Sequence, residues 1–271
     1  MKSSKLPALP YLVWIVLFTV LPLMLVTYFA FTTEDGSFTF ANISGVNAYV
    51  AVIFRSIWLA FVATIICLLI AYPLSFWISR MHPRKQKTYL LLVMLPMWMN
   101  FLLRTYAWMT ILENTGIINR ALAVFGLGPL AMINTQGAVV LGMVYNYLPF
   151  MILPLYSVMT KIDNRFIEAA QDLGAPSRAV FSTVVLPLSM PGIMTGITMV
   201  FVPAVSTFII SRMLGGGANM MIGDLIELQF LGNAYNPNLG AAISLGLMIL
   251  ILFCMSILNQ LNEENKEGMI I

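Results

Sequence analysis

Charge is what this sequence has least of. Its 14 Lys and Arg and 11 Asp and Glu make up 9% of 271 residues, while 60% are hydrophobic. A soluble domain carries about a quarter charged residues, so there is too little charge here to cover a water-exposed surface. A soluble enzyme, a disordered chain and a secreted disulfide scaffold are excluded, and a polytopic membrane protein remains, with the lipid bilayer as its first partner. Cysteine is nearly absent too. Cys67 and Cys254 both sit in apolar runs, where a thiol packs as a small hydrophobe, and a disulfide framework or metal site would need more partners. A net charge of +3 leaves no footprint for nucleic acid.

The chain also lacks the motifs of chemistry. No G-x-x-x-x-G-K-[ST] loop is present, and Gly215, Gly216 and Gly217 are not followed by Lys, so nothing here would hold ATP. H-E-x-x-H and C-x-x-C are missing. The single histidine, His82, lies in a basic turn with Arg84, Lys85 and Lys87. It reads as part of a solvated, orientation-setting loop, not as one member of a triad. No catalytic residue, metal or bound cofactor is expected.

What the sequence has is long apolar runs. Charge is absent from Leu6 to Thr33, Ser56 to Ser79, Ala121 to Thr160, Ala179 to Ser211 and Leu228 to Asn262, and Thr88 to Leu112 contains only Arg104. Each run can hold a helix of about 20 residues, whereas a barrel needs alternating segments of about 10. The expectation is an all-α membrane protein with six spans, near 9–31, 56–79, 88–112, 138–160, 189–211 and 239–259. The first run is longer than a signal-peptide core and no small-x-small cleavage site follows it, so it reads as a retained span. With the N-terminus inside, the inner segments carry Lys2, Lys5, Arg80, Arg84, Lys85, Lys87, Lys161, Arg165, Arg178 and Lys266, ten in all. The outer segments carry three, Arg55, Arg120 and Arg212. That bias places both termini in the cytoplasm. The outer side also carries Glu34, Asp35, Glu113, Asp224 and Glu227.

The cytoplasmic segment 161–188, KIDNRFIEAAQDLGAPSRAVFSTVVLPL, reads as helix, turn, helix. Asp163 or Asn164 suits an N-cap, Gly174 a left-handed stop, Pro176 the first turn of a second helix, and Pro187 an end or kink. On the first helix Phe166, Ala170 and Leu173 form an apolar stripe, and Arg165, Glu168 and Asp172 a charged one. Ala169 and Ala170 are small enough for close backbone approach. Such a helix suits docking in a groove of a cytosolic protein or resting on lipid headgroups, and the residue pattern by itself leaves both open.

Glu168-Ala169-Ala170, three residues, Gly174, nine residues, then Val184-x-Leu186-Pro187 resembles the EAA loop of ABC-importer permeases, E-A-A-x3-G-x9-I-x-L-P, with Val184 in place of Ile. The resemblance implies a six-helix permease of the type I (MetI-like) importer fold. Arg165, Glu168, Ala169, Ala170, Asp172 and Gly174 would then couple it to an ATPase. It also implies a second EAA-type permease sharing one pathway, two ATPase subunits that use ATP and Mg, and an extracytoplasmic substrate-binding protein. Within that class Leu95–Trp108, LPMWMNFLLRTYAW, is similar to a stretch of spermidine/putrescine permeases. Pro96, Trp98, Asn100, Leu103, Arg104 and Tyr106 match, and Met97 departs from Phe. Tyr147–Met151, Leu153–Ser157, Ile222-Gly223 and Gln229-Phe230-Leu231 are similar as well. Importers for sulfate, molybdate, phosphate or iron share the EAA loop. A gradient-driven transporter is the rival from outside the class.

A flexible polycation wants carboxylates and aromatic faces. Asp224 and Glu227, three apart, and Trp98, Asn100, Tyr106, Trp108, Tyr145 and Tyr147 are the candidates for a substrate pathway; the competing readings are a solvated loop face and interfacial or packing aromatics. Arg104, costly inside a bilayer, reads as structural or gating. It would pair with a carboxylate such as Glu113 or with helix carbonyls, whereas an anion importer would use it directly. Gly192 and Gly196 form a G-x-x-x-G, with weaker pairs at Ala138/Gly142 and Ala242/Gly246.

Overall fold

The computed structural model describes residues 9–232 and 234–267. It is 81% helical, and among those residues the only extended pairing is one bridge, Thr32 with Phe38. Lys2 and Lys5, used in the orientation argument, lie outside the described residues. The helices are α1 (Pro10–Ala30), α2 (Ala41–Ser79), α3 (Pro83–Met94), α4 (Phe101–Leu112), α5 (Ile117–Val124), α6 (Gln136–Met159) and α7 (Asn164–Asp172). They are followed by α8 (Ser177–Ser206), α9 (Ile209–Gly215), α10 (Ile222–Leu231) and α11 (Pro237–Glu267).

Five of these, α1, α2, α6, α8 and the apolar part of α11, are long and apolar enough to cross a membrane; a sixth crossing requires counting two arms, Pro83–Trp98 (α3 and the turn after it) and Phe101–Val124 (α4 with α5), as one broken span. That break falls inside the stretch expected to be a single span over 88–112. The chain tightens into a 3-10 turn at Leu95–Trp98, extends at Met99 and Asn100 and restarts as α4. The two arms meet at 87°. Pro96 has no N–H to continue an α-helix. The Asn100 carboxamide oxygen accepts from the N–H groups of Leu102 at 2.9 Å and Leu103 at 3.4 Å, satisfying donors that the new helix would otherwise leave bare. Hydropathy runs smoothly through the corner, so only this local chemistry marks it.

The core is the trio α2, α6 and α8. Ala60, Ala63, Cys67 and Ala71, all fully buried on one face of α2, lie in the same cluster as Met143, Met151, Ile152 and Leu155 of α6. Small residues set the spacing. A Cβ on Gly196 would stand 2.5 Å from the Met151 sulfur, and one on Gly192 3.1 Å from the Pro154 carbonyl. The G-x-x-x-G therefore packs α8 on α6 within this chain. Gly142 does the same for α9, where a Cβ would stand 2.4 Å from Leu214, while Gly246 faces open space. Polar atoms in the trio bond across it: the Ser75 hydroxyl donates to the Ile152 carbonyl at 3.3 Å, and the Tyr72 and Ser189 hydroxyls pair at 2.8 Å. Around this core α11 lies against α1, α8 and α10, and α9 touches both α4 and α6.

Pro187 does not end its helix. The chain passes through a π turn at Phe181–Val185 and continues as helix from Leu186, and α1 does likewise at Val16–Val20 ahead of Leu21-Pro22. A proline removes one i→i−4 bond, and the wider π turn accommodates the lost register just upstream. The apolar stretch expected to run 189–211 instead stops at Ser206, where Thr207 is extended before α9 begins.

Overpacking a close helix contact costs about 1–3 kcal/mol. Gly196→Val is therefore expected to lower the thermal midpoint of the protein in detergent, followed by circular dichroism, while Gly246→Val leaves it unchanged. Equal midpoints would show that α6 and α8 are not held by this contact.

Candidate coupling loop and translocation face

The loop between α6 and α8 builds a short helix, α7. Asp163 takes the N-cap position with extended backbone, and its carboxylate accepts from the Arg165 N–H at 3.0 Å. At the other end Gly174 has φ +81°, its N–H donates to the Gln171 carbonyl at 2.8 Å, and the Ala175 N–H reaches back to the Ala170 carbonyl at 3.1 Å. This paired closure is a Schellman stop. No atom lies within 4 Å of a Cβ placed on Gly174, so glycine is needed there for its backbone angle and not for space. Pro176 sits just outside α8 as its N-cap.

Between those stops Arg165, Glu168, Ala169 and Asp172 are exposed and Ala170 half-buried. The two large residues of the apolar stripe are exposed as well, Phe166 at 58% and Leu173 at 88%. A helix that turns an aromatic, a leucine and its charges to the outside has only part of its surface covered by its own chain. It packs on the first turns of α8.

The residues expected to form a pathway fall into two groups. The first surrounds the α3–α4 corner. Trp98, Asn100 and Tyr106 are exposed. Trp108 and Tyr145 meet edge to face with centroids 5.4 Å apart. Tyr147 is turned inward, 8% exposed, and its hydroxyl donates to the Pro203 carbonyl at 3.4 Å. Arg104, 7% exposed, bonds a carbonyl and not Glu113: its Nη1 donates to the Pro96 oxygen at 2.9 Å across the corner. Its guanidinium lies over the Phe101 ring at 5.8 Å, and its Nε is buried without a partner.

The second group lies where α8 breaks. Asp224 and Glu227 share α10, but they are not equivalent. Glu227 is ion-paired with Arg212: Nη1 donates to Oε1 at 2.9 Å and Nη2 lies 2.7 Å from Oε2. Asp224 is 5% exposed; its Oδ2 accepts from the Met221 N–H at 2.8 Å, closing the start of α10, while Oδ1 is buried without a partner. Burial pushes the Asp224 carboxyl above the usual carboxylate range, against the opposing pull of the nearby Ser211 hydroxyl, the Met221 N–H and Arg212. Arg212, Gly216, Gly217, Met220, Asp224 and Leu228 line a cavity of about 180 Å³. The helix is pinned from behind: the Ile222 N–H donates to Ser56 of α2 at 2.8 Å, and a Cβ on Gly223 would stand 2.5 Å from the Ser206 carbonyl. Arg212 and Ser56 were not among the sequence candidates. In a chain with so few charges, an Arg and two acids in one loop is a signal of pairing, though not of which acid is paired.

This architecture defines a class. The chain superimposes on a chain of a bacterial ABC transporter involved in the import of the acidic polysaccharide alginate with TM-score 0.81, covering 94% of this chain and 93% of that one at 16% identity. On the alginate transporter in complex with an alginate pentasaccharide-bound periplasmic protein it gives 0.80 at the same identity, covering 94% and 92%. The fold is that of ABC-importer permeases. No family model matches the sequence, but whole-length relatives do. The chain is 39% identical over 272 residues to the spermidine/putrescine transport system permease protein PotB of Haemophilus influenzae, covering 97% of this chain and 95% of that protein. It is 36% identical over 248 residues to PotB of Escherichia coli, covering 88% and 90%. The inner membrane ABC transporter permease protein YdcU of Escherichia coli is 31% identical over 239 residues, covering 82% and 76%. The chain belongs to the PotB family of ABC-transporter permeases.

A non-glycine residue in the left-handed region costs about 1–2 kcal/mol, a factor of about 5–30 in the opened population. Gly174→Ala is therefore expected to speed tryptic cleavage after Arg165 and Arg178 in membranes by that factor, with Gly128→Ala, also in open space, as the silent control. Identical cleavage rates would show that Gly174 does not hold the loop.

Proposed function

We propose that this chain is one permease subunit of an ATP-driven importer for polyamines, spermidine and putrescine, in the inner membrane. It contributes half of the pathway and hydrolyses nothing itself. The other half comes from a second EAA-type permease (PotC-like). Two ATPase subunits (PotA-like) use ATP and Mg, and an extracytoplasmic binding protein (PotD-like) delivers the substrate. Both termini and α7 face the cytoplasm, by the excess of Lys and Arg there.

The observation that carries the reading is α7, a helix capped at both ends whose apolar and charged faces are both left exposed, built on the EAA pattern. Arg165, Glu168, Ala169, Ala170, Asp172 and Gly174 form the surface that docks in a cleft of the ATPase, so that closure of the ATPases turns the permease pair from one facing to the other. The identity to PotB proteins over nearly the whole chain supports the polyamine. Asp224 supports it chemically: a carboxylate with an unpartnered oxygen at a small cavity suits one ammonium end of a polyamine, and Glu227, already neutralised by Arg212, does not compete for it. Trp98, Asn100 and Tyr106, exposed in the single chain, line the face toward the second permease. The Trp108–Tyr145 pair stands behind them, and Tyr147 and Arg104 hold the wall's shape.

In cells lacking the chain, restoring it should restore radiolabelled spermidine uptake and leave sulfate uptake unchanged. Glu168→Lys should abolish the restored uptake with the protein still in the membrane. Sulfate uptake returning instead would overturn the polyamine reading, and full uptake with Glu168→Lys would overturn coupling through α7.

The Asp224 carboxyl is raised, so it gains its proton at a higher pH than an ordinary carboxylate as the medium is acidified. Spermidine uptake is expected to fall with decreasing external pH above the normal carboxylate range. Asp224→Asn should lower uptake at neutral pH and flatten that limb of the profile. An unchanged profile in the variant would remove Asp224 from the pathway.

A further inference from the structure

Arg80 closes the end of α2 and is tied to a segment more than eighty residues away. Its Nη1 donates to the Ile162 carbonyl at 3.3 Å and to the Asn164 side-chain oxygen. Ile162 is buried, and Asn164 is the first residue of α7. The guanidinium lies 5.2 Å from the centre of the Phe76 ring, and its Nε and Nη2 are buried without partners. This is not a solvated charge that merely sets orientation. A second tie stands beside it. Gln86 donates to the Ser79 and Met81 carbonyls at 3.0 and 2.8 Å, and its Oε1 accepts from the Tyr156 hydroxyl of α6 at 2.9 Å. The end of α2, the start of α3, the end of α6 and the start of α7 thus meet in one polar knot. Elsewhere α7 packs on the first turns of α8.

We propose that Arg80 is a positioning residue that anchors the start of α7 to α2, so that a push on α7 moves the α2–α6–α8 core as one body. The inference rests on the coupling role given to α7 above. Arg is suited to it because the two N–H groups of Nη1 serve a backbone carbonyl and a side-chain oxygen at once while the planar guanidinium lies over the Phe76 ring, whereas Lys is a point charge on a flexible stem. Without the anchor α7 still docks on its ATPase, but its displacement is spent in the loop 160–163. ATP hydrolysis and uptake then come apart.

The test is the whole importer, this chain with its permease, ATPase and binding-protein partners, reconstituted in proteoliposomes and read as spermidine taken up per ATP hydrolysed. Hydrogen bonds to a charged group support an expected fall of about ten-fold in that ratio for Arg80→Ala, with hydrolysis retained. Arg80→Lys should fall between that variant and the native chain, and adding Asn164→Asp to it should recover most of the loss by supplying a carboxylate for the ammonium. If Arg80→Ala does not insert, Asn164→Ala removes one acceptor without touching the basic residue and should lower the ratio by less. An unchanged ratio in Arg80→Ala, or in Asn164→Ala where that variant stands in for it, overturns the proposal. So does failure of Asn164→Asp to rescue Arg80→Lys. Glu168→Lys is run beside them. Retained uptake there would remove the coupling role of α7 itself, whereas its loss together with a normal Arg80→Ala ratio would remove only the anchor.

Discussion

Inside a bilayer no water is available to a bare N–H or carbonyl, and every departure from helix has to be met by a group the chain itself supplies. The structure is organised around that constraint. Where the backbone stays helical, residues are small or apolar and helices approach until carbonyls and side chains touch, as at Gly192 and Gly196. Where it breaks, a polar side chain stands at the break. Asn100 caps the helix leaving the α3–α4 corner, Arg104 serves the carbonyl of Pro96 on the arriving side, and Asp224 caps the start of α10, after the turn that ends α9. Each polar residue at an interruption is accounted for first by the backbone it satisfies. Any contact with a solute is made with the valence left over, such as the second oxygen of Asp224.

The molecule divides accordingly into a stiff part and a jointed part. The trio α2, α6 and α8 is close-packed through alanines and glycines and resists deformation. The α3–α4 arm is bent through a right angle and is held at its corner by hydrogen bonds more than by packing, with Trp98 and Tyr106 on its outer surface. On the proposed function, a stiff body pushed at α7 beside a jointed arm is a layout in which a small displacement reshapes a passage without unfolding any helix.

Much of this was legible in the residues. Sparse charge located the apolar helices because in a membrane hydropathy carries the dominant energy. The EAA loop was legible in detail, since its caps are local devices: Asp163 bonds a residue two positions on, and Gly174 acts through its own φ. The α3–α4 corner was not legible from hydropathy, which is blind to hydrogen bonding. Asn100, expected in the substrate pathway, also has a structural task the sequence did not show: its side chain caps the backbone of Leu102 and Leu103. The unequal fates of Asp224 and Glu227 were hidden for a different reason. Arg212 is fifteen residues from Glu227, and which acid it meets depends on how α9 folds back over α10. Arg80 was counted only as a topological charge, because its partners lie more than eighty residues away.

The π turn at Phe181–Val185 lies between α7 and the spanning part of α8. It inserts one residue into the winding, and each residue of an α-helix advances the azimuth by about 100°. A single helical wheel drawn through Ser177–Ser206 would therefore place every residue beyond Leu186 on the wrong side by that angle. The side on which α8 meets α6 and the side on which it receives α7 follow two separate phases, joined by a fixed offset, and a change in one need not disturb the other.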